Sequence, residues 1–571
     1  MFYRAVILLI CSLWSTVSCF ANGQDRKLVV MFTSDLHSQL LPYSHNAGGF
    51  ARIATIVEQE REQAAREGAA FLLLDGGDIA MGSVFHTQFA NLAAEYRGIA
   101  RMGYDAFTLG NHSFDFGTEA LARMFRAARL SDSLAAFPQL LAANVQCGGI
   151  PTEKYTIIER NGLRIALMGL MGENSYNVIG QAKEQVQFAD PVSVAREIVA
   201  DLKGQADYII AISHGGTLNG DDIKLAKKVD GIDFIISGHD HVALHNPIVT
   251  KVTPIGAAGS NGRYVGKAVF SAGKLEEYAL IPVDESVPEN PAMKCWVDSM
   301  YNVVGVEFEK LSGRRLDDTI AFVDAEYPKM LDEDGNMVLG SNIAQSYREA
   351  AISLVPGVSK DEVVAFVPYG MVRRGLVEGA VTNRDAFEVL SLGENERGYT
   401  GYSLVYAWLT GEELGNLCEM SVTIAPFLED TKLFFAGLQY RYNGARLPFI
   451  RVDRVKVNGQ NVAQDKLYMV VTGLYTAQLI GLLESESYGI LSAAAKDSQG
   501  NLLPEGFLVM RTPQGNTISE WEAFAQYLQS GKFSSDAGGE TVENDDFVPL
   551  GYTLGAVLLC ALILFCMRKR K

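Results

Sequence analysis

The stretch Gly110-Asn111-His112-Ser113-Phe114-Asp115-Phe116-Gly117 follows an apolar run at residues 104–109 that predicts a buried strand ending in a glycine turn. The turn places an amide oxygen, from Asn111, and an imidazole, from His112, at the carboxyl end of that strand. Ligands of open α/β sheets bind at this edge. Asp115 follows three residues later and is placed to orient the His112 ring, as carboxylates do for metal-site histidines. The stretch therefore predicts a ligand site built from strand ends.

Four other apolar runs predict strands that stop in metal-capable side chains. These runs are residues 27–33, 71–74, 208–212 and 233–236. Residues two apart in an extended chain face the same side, so Asp35 and His37 are expected to reach one ion together. The pair His239 and His241 repeats that spacing. The candidate ligands from all the strand ends are Asp35, His37, Asp78, Asn111, His112, His214, His239 and His241.

The chemistry of these candidate ligands limits which metal ions the site would bind. A site built from imidazole, carboxylate and amide ligands suits Mn, Zn, Co or Fe better than a site built from thiolates does. Two ions that share one bridging carboxylate would use these ligands economically. The remaining histidines, His45, His86 and His245, fall outside the pattern and are interpreted as surface or core residues.

Length and composition bound the class of protein. A chain of 571 residues with 48% hydrophobic residues is expected to form two large domains. Its net charge of −18 argues against nucleic-acid polymers as partners, and it requires local cations at any phosphate site. Outside the two terminal segments, Cys147, Cys295 and Cys418 allow at most one disulfide and lack metal-type spacing.

Both ends of the chain carry targeting patterns. Residues 1–21 combine an early cation, an apolar run and small residues, which predicts a signal peptide cleaved after Ala21, with lipidation at Cys19 as a minor alternative. Residues 547–567 lack charge and are long enough to span a bilayer at about 1.5 Å per residue. The cationic tail, 568–571, is expected to stay in the cytoplasm. We therefore predict an exported, membrane-anchored protein whose catalytic domains lie in the periplasm or outside the cell.

The order and spacing of the strand-end motifs resemble the 5′-nucleotidase and UDP-sugar hydrolase family of two-domain, calcineurin-like metallophosphoesterases. The segments that carry this resemblance are Ser34-Asp35-Leu36-His37, Gly76-Gly77-Asp78, Gly110-Asn111-His112, Ser213-His214-Gly215-Gly216 and Gly238-His239-Asp240-His241. The resemblance implies an α/β protein with an N-terminal metallophosphoesterase β-sandwich flanked by helices and a smaller α/β C-terminal substrate-binding domain. We assign 26–285 and 313–528 to these domains, 286–312 to a linker helix and 529–546 to a flexible stalk.

The resemblance also implies a role for each candidate residue. Two divalent metal ions are expected, with Mn, Zn, Co and Mg all open as their identity. Asp78 would bridge the ions, and His112, partnered by Asp115, would stabilise the transition state and protonate the leaving oxygen. Ser113 departs from the family, which usually has Glu there. The first ion's implied ligands are Asp35, His37, Asp78 and His241, and the second ion's are Asp78, Asn111, His214 and His239.

The second half carries a weaker resemblance and more departures. Gly370-Met371-Val372-Arg373-Arg374-Gly375 resembles the family's glycine-rich turn with a substrate-binding arginine, where Arg373 aligns best and Arg374 is close. Arginine is well suited to bind phosphate because its guanidinium forms two parallel hydrogen bonds to the phosphate oxygens. Leu392 stands where the family has a base-stacking Phe. Tyr488 is a candidate for the second stacking ring, with a core tyrosine as the alternative.

These observations predict a membrane-tethered phosphoesterase that hydrolyses nucleotides or nucleotide sugars and takes part in nucleotide catabolism. The expected partner is a small-molecule phosphate ester. One alternative keeps the chemistry but changes the substrate to a non-nucleotide ester or a cyclic nucleotide, because the stacking positions depart from the family. Another is a surface binding protein without turnover.

Overall fold

The computed structural model describes residues 26–43, 47–131, 136–218, 220–333, 335–395, 401–426, 429–486, 493–504, 506–537 and 542–544. The chain divides into two compact units, and the division falls inside a long helix. The first unit comprises the chain up to Met81 and Gln88–Asn302, whereas the second comprises Gly82–Thr87 and the chain from Val303 onward.

Two six-stranded sheets form the first unit. One sheet has the order β14-β13-β1-β2-β3-β4 and the other has the order β11-β12-β10-β9-β7-β6, while β5 pairs with β8. The strands are β1 Leu28–Thr33, β2 Ala70–Asp75, β3 Ala106–Thr108, β4 Gln139–Leu141, β5 Val145–Cys147, β6 Tyr155–Arg160, β7 Leu163–Met171, β8 Val186–Phe188, β9 Tyr208–His214, β10 Phe234–Ser237, β11 Ile248–Thr250, β12 Thr253–Gly256, β13 Tyr264–Ser271 and β14 Lys274–Pro282.

The core lies between these sheets. Phe32 of β1 packs edge-on against Phe234 of β10, with ring centroids 5.7 Å apart, in a buried cluster drawn from both sheets. A second cluster packs helices against the outer face of the second sheet. The predicted β-sandwich flanked by helices is confirmed. Its helices are α1 Phe50–Glu67, α2 Phe89–Leu92, α3 Ala94–Met102, α4 Gly117–Ser131, α5 Glu173–Asn177, α6 Pro191–Leu202, α7 Asp221–Lys228 and α8 Pro291–Ser312.

The central strands run parallel, which decides where the site forms. β1, β2 and β3 are parallel neighbours in one sheet, and β9 and β10 are parallel neighbours in the other. Their residues are almost wholly buried, as the apolar runs in the sequence predict. Because parallel strands end at the same edge, the polar residues that follow them gather there.

The second unit contains a five-stranded sheet, a four-stranded sheet and a two-stranded ribbon. Their orders are β19-β16-β23-β18-β24, β22-β21-β20-β25 and β15-β17. Residues 542–544, within the segment predicted as a stalk, form β25 and pair in parallel with β20. The strands and helices of the second unit are β15 Thr319–Val323, α9 Val338–Leu354, β16 Val363–Pro368, β17 Gly379–Thr382, α10 Asn383–Val389, β18 Leu404–Thr410, α11 Gly411–Thr423, β19 Leu433–Ala436, β20 Leu438–Tyr442, β21 Val452–Val457, β22 Gln460–Asn461, β23 Leu467–Gly473, α12 Leu474–Glu486, β24 Leu508–Val509, α13 Glu520–Gln529 and β25 Val542–Asn544.

One segment of the second unit comes from far upstream in the sequence. Gly82–Thr87 belongs to it, and the buried His86 ring lies 5.6 Å from the ring of Phe387 in α10. His86 also accepts a hydrogen bond at Nδ1 from the backbone amide of Gly82. The interpretation of His86 as a core residue is confirmed, and His245 is exposed as expected.

The predicted terminal segments lie outside the described residues. These are the signal peptide at 1–21, the transmembrane helix at 547–567 and the tail at 568–571. Of the helices that fall within the described ranges, none is both long and apolar enough to cross a bilayer. Cys147, Cys295 and Cys418 are free thiols.

Glu520 makes the stability of the second unit depend on pH. Burial raises its pKa to about 7, against the opposing hydrogen bond that Tyr347 donates at 2.7 Å. Between pH 4.5 and 7 the folded chain keeps a proton that the unfolded chain has released, so stability falls as pH rises. We expect Glu520→Gln to stabilise the protein by about 2–3 kcal/mol at pH 8 and little at pH 4. Urea unfolding at both pH values measures this, and an equal gain at both would contradict it.

Candidate metal centre

The strand ends of the two sheets meet at one edge of the first unit. The backbone there is bonded across strands, since the amide of Asp35 donates to the carbonyl of Gly77 at 2.9 Å and that of His37 to Asp78 at 3.0 Å. The amide of Gly238 donates to the carbonyl of Ser213 at 2.9 Å. These bonds hold the ligand-bearing turns in fixed register.

The backbone at these turns is left-handed, not extended. Asp35 has φ +52° and His37 has φ +48°. His239 and His241 have φ +93° and +58°. The expectation that each pair converges because the chain is extended is therefore wrong. Tight turns, not extended strands, place these four side chains, and left-handed conformations at residues other than glycine are a strain that clusters at functional sites.

Asp35, His37 and His241 form one group of convergent donor atoms. The Nε2 atoms of His37 and His241 lie 2.8 Å apart, and Nε2 of His241 lies 3.8 Å from Oδ1 of Asp35. Nδ1 of His37 lies 3.0 Å from the carbonyl oxygen of Met81, which turns Nε2 toward the group. Asp35 is wholly buried, whereas the His241 side chain is 39% exposed.

Asp78, Asn111, His214 and His239 form a second group. Nε2 of His214 lies 3.0 Å from Oδ2 of Asp78 and 3.3 Å from Oδ1 of Asn111. Nδ1 of His239 lies 3.0 Å from the same Asn111 oxygen. Asp35 of the first group also converges with Asp78 and His214 of the second, so the two groups adjoin at these two carboxylates.

Burial and mutual charge perturb the pKa of most of these groups. Burial raises the pKa of Asp35 to about 7. Burial alone would also raise the pKa of Asp78, but the neighbouring His214 and His112 rings hold it well below its usual range. Although burial disfavours its cation, Asp78 raises the pKa of His214 to about 10. Burial and the charge of His214 lower the pKa of His239 to about 4.

His112 and Asp115 form a separate dyad beside these groups. Nδ1 of His112 lies 2.6 Å from Oδ2 of Asp115, and the His112 ring centroid lies 5.4 Å from that of His37. The backbone amide of His112 donates to Oδ1 of Asp78 at 2.9 Å. Ser113 closes the turn, because its Oγ accepts from the amide of Gly110 at 3.2 Å. The dyad therefore presents the Nε2 side of the imidazole away from Asp115.

Two glycines make room for this arrangement. A Cβ at Gly110 would collide with the carboxylate of Asp78, and one at Gly77 would lie 2.7 Å from Nδ1 of His214. Gly77 also has φ +98°, a conformation that side chains rarely adopt. The glycines of these motifs are thus required by close approach at the centre.

The residues present fit divalent metal ions. Bonds of about 2.0–2.2 Å place neighbouring ligand atoms roughly 3 Å apart around one ion. The donor pairs Asp78 with His214 and Asn111 with His239 already have this separation. A wholly buried carboxylate such as Asp35 also requires a compensating positive charge, which a cation supplies.

In the second unit the structure distinguishes two neighbouring arginines. Arg374 forms a buried ion pair with Glu388. Arg373 is half-buried, donates weakly to the carbonyl of Gly370 at 3.5 Å, and has its backbone amide bonded to Val389 at 2.8 Å. Burial, with the charge of Arg373, lowers the pKa of Lys329 to about 8. The positive charge of Arg373 thus acts on Lys329, and the carboxylates of Asp430 and Glu429 oppose its effect on that pKa.

An aromatic pair that the sequence reasoning missed lies beside Leu392. Leu392 itself is buried. The Tyr402 backbone amide donates to its carbonyl at 3.2 Å, and the Tyr402 ring covers the Cα of Gly393. The rings of Tyr402 and Tyr475 stack with centroids 5.5 Å apart and planes 17° apart. Tyr488 lies outside the described residues. The only sequence signal for Tyr402 is its closeness to the glycine turn after Leu392.

Comparison with known proteins matches each unit to a family. Residues 28–243 match the model of the calcineurin-like phosphoesterases, and residues 320–480 match that of the 5'-nucleotidase C-terminal domain. A 5'-nucleotidase of Vibrio vulnificus is 26% identical over 80% of this chain and 86% of its own length. The trifunctional nucleotide phosphoesterase protein YfkN of Bacillus subtilis is 26% identical over 78% of this chain, which spans 31% of that protein.

The fold has a counterpart among solved structures. The crystal structure of a 5'-nucleotidase precursor from Thermus thermophilus superposes with a TM-score of 0.69, at 23% identity, over 91% of this chain and 100% of the other. At this identity the likeness concerns the fold.

Proposed function

The chain belongs to the calcineurin-like phosphoesterases that carry a 5′-nucleotidase C-terminal domain, and on this basis we propose that it hydrolyses nucleotides, releasing phosphate. It is thus a phosphoric ester hydrolase, and divalent metal ions are implied by its family. The observation that carries the proposal is the convergence of donor atoms about 3 Å apart from strand ends of both sheets, beside the His112–Asp115 dyad.

The proposed ligand sets take the two groups of donor atoms and add Asp78 to the first, as the family resemblance implies. Asp78 belongs to both sets. When bound, such ions polarise the phosphoryl oxygens and lower the pKa of water, so that a nucleophile exists at neutral pH. One ion would be held by Asp35, His37, Asp78 and His241, and the other by Asp78, Asn111, His214 and His239.

His112 is proposed to handle the leaving group. Asp115 accepts the hydrogen bond at Nδ1, which fixes the ring, and the ring is proposed to act in its cationic form. The Nε2 proton of that cation would pass to the ester oxygen as its bond to phosphorus breaks. Water supplies the new oxygen on phosphorus, so the products are phosphate and a nucleoside. Before that transfer, the cation neutralises charge that develops on the ester oxygen.

Hydrolysis by the purified protein with added Mn²⁺ tests the proposal, with chromatography of the nucleosides, nucleotides and sugar phosphates formed beside the assay of released phosphate. The panel comprises AMP, UDP-glucose, cyclic AMP, glycerol phosphate and an aryl phosphate. We expect preference for AMP or UDP-glucose. Equal rates on glycerol phosphate and AMP would favour the alternative of a non-nucleotide substrate, and no release from any ester would contradict the proposed activity.

Arg373 is proposed to bind the substrate phosphate. Its neighbour Arg374 is already paired with Glu388, and Lys329 adds a second cation close by. A charge-assisted hydrogen bond contributes about 1.5–3 kcal/mol, so Arg373→Ala is expected to raise KM for AMP by roughly 10- to 100-fold with kcat nearly unchanged. Arg373→Lys keeps the positive charge but loses the forked guanidinium, so its KM should lie between those of the wild type and Arg373→Ala. An unchanged KM in Arg373→Ala would make Arg373 an ordinary loop residue.

Tyr402 is proposed to replace the aromatic ring that Leu392 lacks. Its ring lies against Gly393 and stacks with Tyr475, and this aromatic pair is proposed to provide the apolar surface against which the base packs. Stacking on a base contributes about 1–3 kcal/mol, so Tyr402→Leu is expected to raise KM for AMP about tenfold. Tyr402→Phe is the matched control and should retain the wild-type KM. Glycerol phosphate has no base, so a matching KM rise for it in Tyr402→Leu would contradict the assignment.

We also propose that the protein is exported and anchored to a membrane. This rests on the charge and hydropathy of residues 1–21 and 547–571 alone. Protease treatment of spheroplasts, in which the periplasm is open and the cytoplasmic membrane is intact, should digest the two large domains and spare the cytoplasmic tail. Protection of the domains would contradict this location.

A further inference from the structure

Asp222 ties together the carboxyl ends of two neighbouring strands. Its Oδ1 accepts a hydrogen bond from Oγ of Ser213 at 2.6 Å, and its Oδ2 accepts one from Oγ of Ser237 at 2.5 Å. Ser213 is the penultimate residue of β9 and Ser237 is the last residue of β10, and the two serines are direct partners in the parallel register. All three side chains are buried, with Asp222 only 1% exposed.

Each serine adjoins a candidate ligand. Ser213 immediately precedes His214, and Ser237 is two residues before His239. The carboxylate therefore fixes both strands at the points from which the two imidazoles depart. The spacing at stake is that between His214 and His239, whose ring centroids lie 5.3 Å apart.

The helix that carries Asp222 is seated directly on the same loop. Asp222 lies in the first turn of α7, and its amide donates to the carbonyl of Gly216 at 3.1 Å. A Cβ at Gly215 would lie 2.7 Å from Oδ1 of Asp222, so the absence of a side chain there lets the carboxylate reach the serines. The loop after His214 and the start of α7 are thus held as one body.

A buried carboxylate at this position destabilises the fold unless a compensating role retains it. Removing it from water costs several kcal/mol, and burial raises its pKa to about 7. The neighbouring positions of α7 and β10 are filled with apolar side chains, including Leu225, Ala226 and Ile235. The same two strands are joined at their amino ends by Asp233, whose half-buried carboxylate accepts from the amide of Ile209 at 2.7 Å.

We infer that Asp222 is a positioning residue of the metal centre, which holds the ends of β9 and β10 so that His214 and His239 are spaced for one ion before it binds. This inference rests on the proposed metal centre and names a residue that contacts neither ion nor substrate. The carboxylate acts through its hydrogen bonds to the two serine hydroxyls, so both hydroxyls are needed for this positioning. Its effect falls on metal affinity and on kcat.

Mn²⁺ titration of the metal-stripped full-length protein by calorimetry tests the inference. Loss of a residue that supports metal ligands typically costs 10- to 100-fold in affinity, and we expect such a loss for Asp222→Ala at one of two Mn²⁺ sites. Asp222→Asn offers an oxygen to one serine and an amide to the other, so it should stay within about threefold of wild type. With saturating Mn²⁺, Asp222→Ala should regain most of its kcat with an unchanged KM.

Asp233→Ala is the matched control, because it removes a carboxylate that joins the same strands at the opposite ends. It should lower thermal stability while leaving both Mn²⁺ affinities at wild-type values. If Asp222→Ala lowers stability but likewise leaves both affinities unchanged, Asp222 is a structural residue and the inference fails. If Asp222→Ala does not fold, the double variant Ser213→Ala with Ser237→Ala removes both donors with little change in volume, and unchanged affinity there would equally overturn it.

Failure of this inference differs from failure of the proposed function. A wild-type protein that binds two Mn²⁺ ions but does not hydrolyse AMP would overturn the nucleotidase proposal, while the affinity comparison would still decide the role of Asp222. A wild-type protein that binds no Mn²⁺ would overturn both.

Discussion

Replacement of Asp78 by alanine is expected to lower phosphate release from AMP by more than about a thousandfold, or about 4 kcal/mol of barrier. Asp78 is the one residue proposed for both ligand sets, and its carboxylate lies 3.0 Å from Nε2 of His214 while accepting from the amide of His112. Removing it also leaves a buried His214 without the partner that raises its pKa. Both the ion count and the geometry of the centre should therefore change.

Elemental analysis beside steady-state kinetics checks this result. The wild-type protein is expected to hold two ions per chain and Asp78→Ala no more than one. Asp78→Asn keeps the shape but not the charge, and it should retain partial occupancy with low activity. Asp233→Ala, in the same unit but distant from the centre, controls for a general loss of stability. Near-normal turnover with two bound ions in Asp78→Ala would contradict the dinuclear arrangement.

Replacement of His112 by asparagine is expected to lower kcat for AMP by about 10²- to 10⁴-fold, the usual contribution of a general acid. KM and metal content should change little, because His112 belongs to neither proposed ligand set. Asp115→Asn should reduce kcat less, by about 10- to 100-fold, since it only removes the group that orients the ring.

The leaving group separates proton donation from other roles of His112. An aryl phosphate with an acidic phenol departs without a proton, so His112→Asn should lose far less activity on it than on AMP. Measuring kcat for both substrates in wild type and variant gives this ratio. An equal loss on the two esters would mean that His112 stabilises charge on phosphorus and does not protonate the leaving oxygen.

Local sequence was sufficient to locate the strands and the turns of the centre. The apolar run before Asp35 and the glycines around Asp78 announce a buried strand and a close approach, and the structure has both there. Such features depend on residues adjacent in the chain, so their pattern is visible without any tertiary contact.

The backbone conformation that places Asp35 and His37 could not be predicted from local sequence in this way. Asp35 and His37 were expected to share a side of an extended chain, yet both occupy left-handed turns that the bonds to Gly77 and Asp78 hold in place. The residue types do not fix this conformation, since Asp and His adopt it more often than most side chains but still in a minority of positions.

The sequence by itself determined the chemical identity of the donor set and its placement at strand ends, because apolar runs, glycines and polar residues record those features locally. Only the tertiary structure decided which distant side chains support them. Asp222 reaches Ser213 and Ser237 because two parallel strands pair in one register, and Tyr402 covers Gly393 because its backbone amide bonds to the carbonyl of Leu392. Such contacts join side chains of different strands, helices and loops, and packing of the whole fold selects them from many pairs that local patterns leave equivalent.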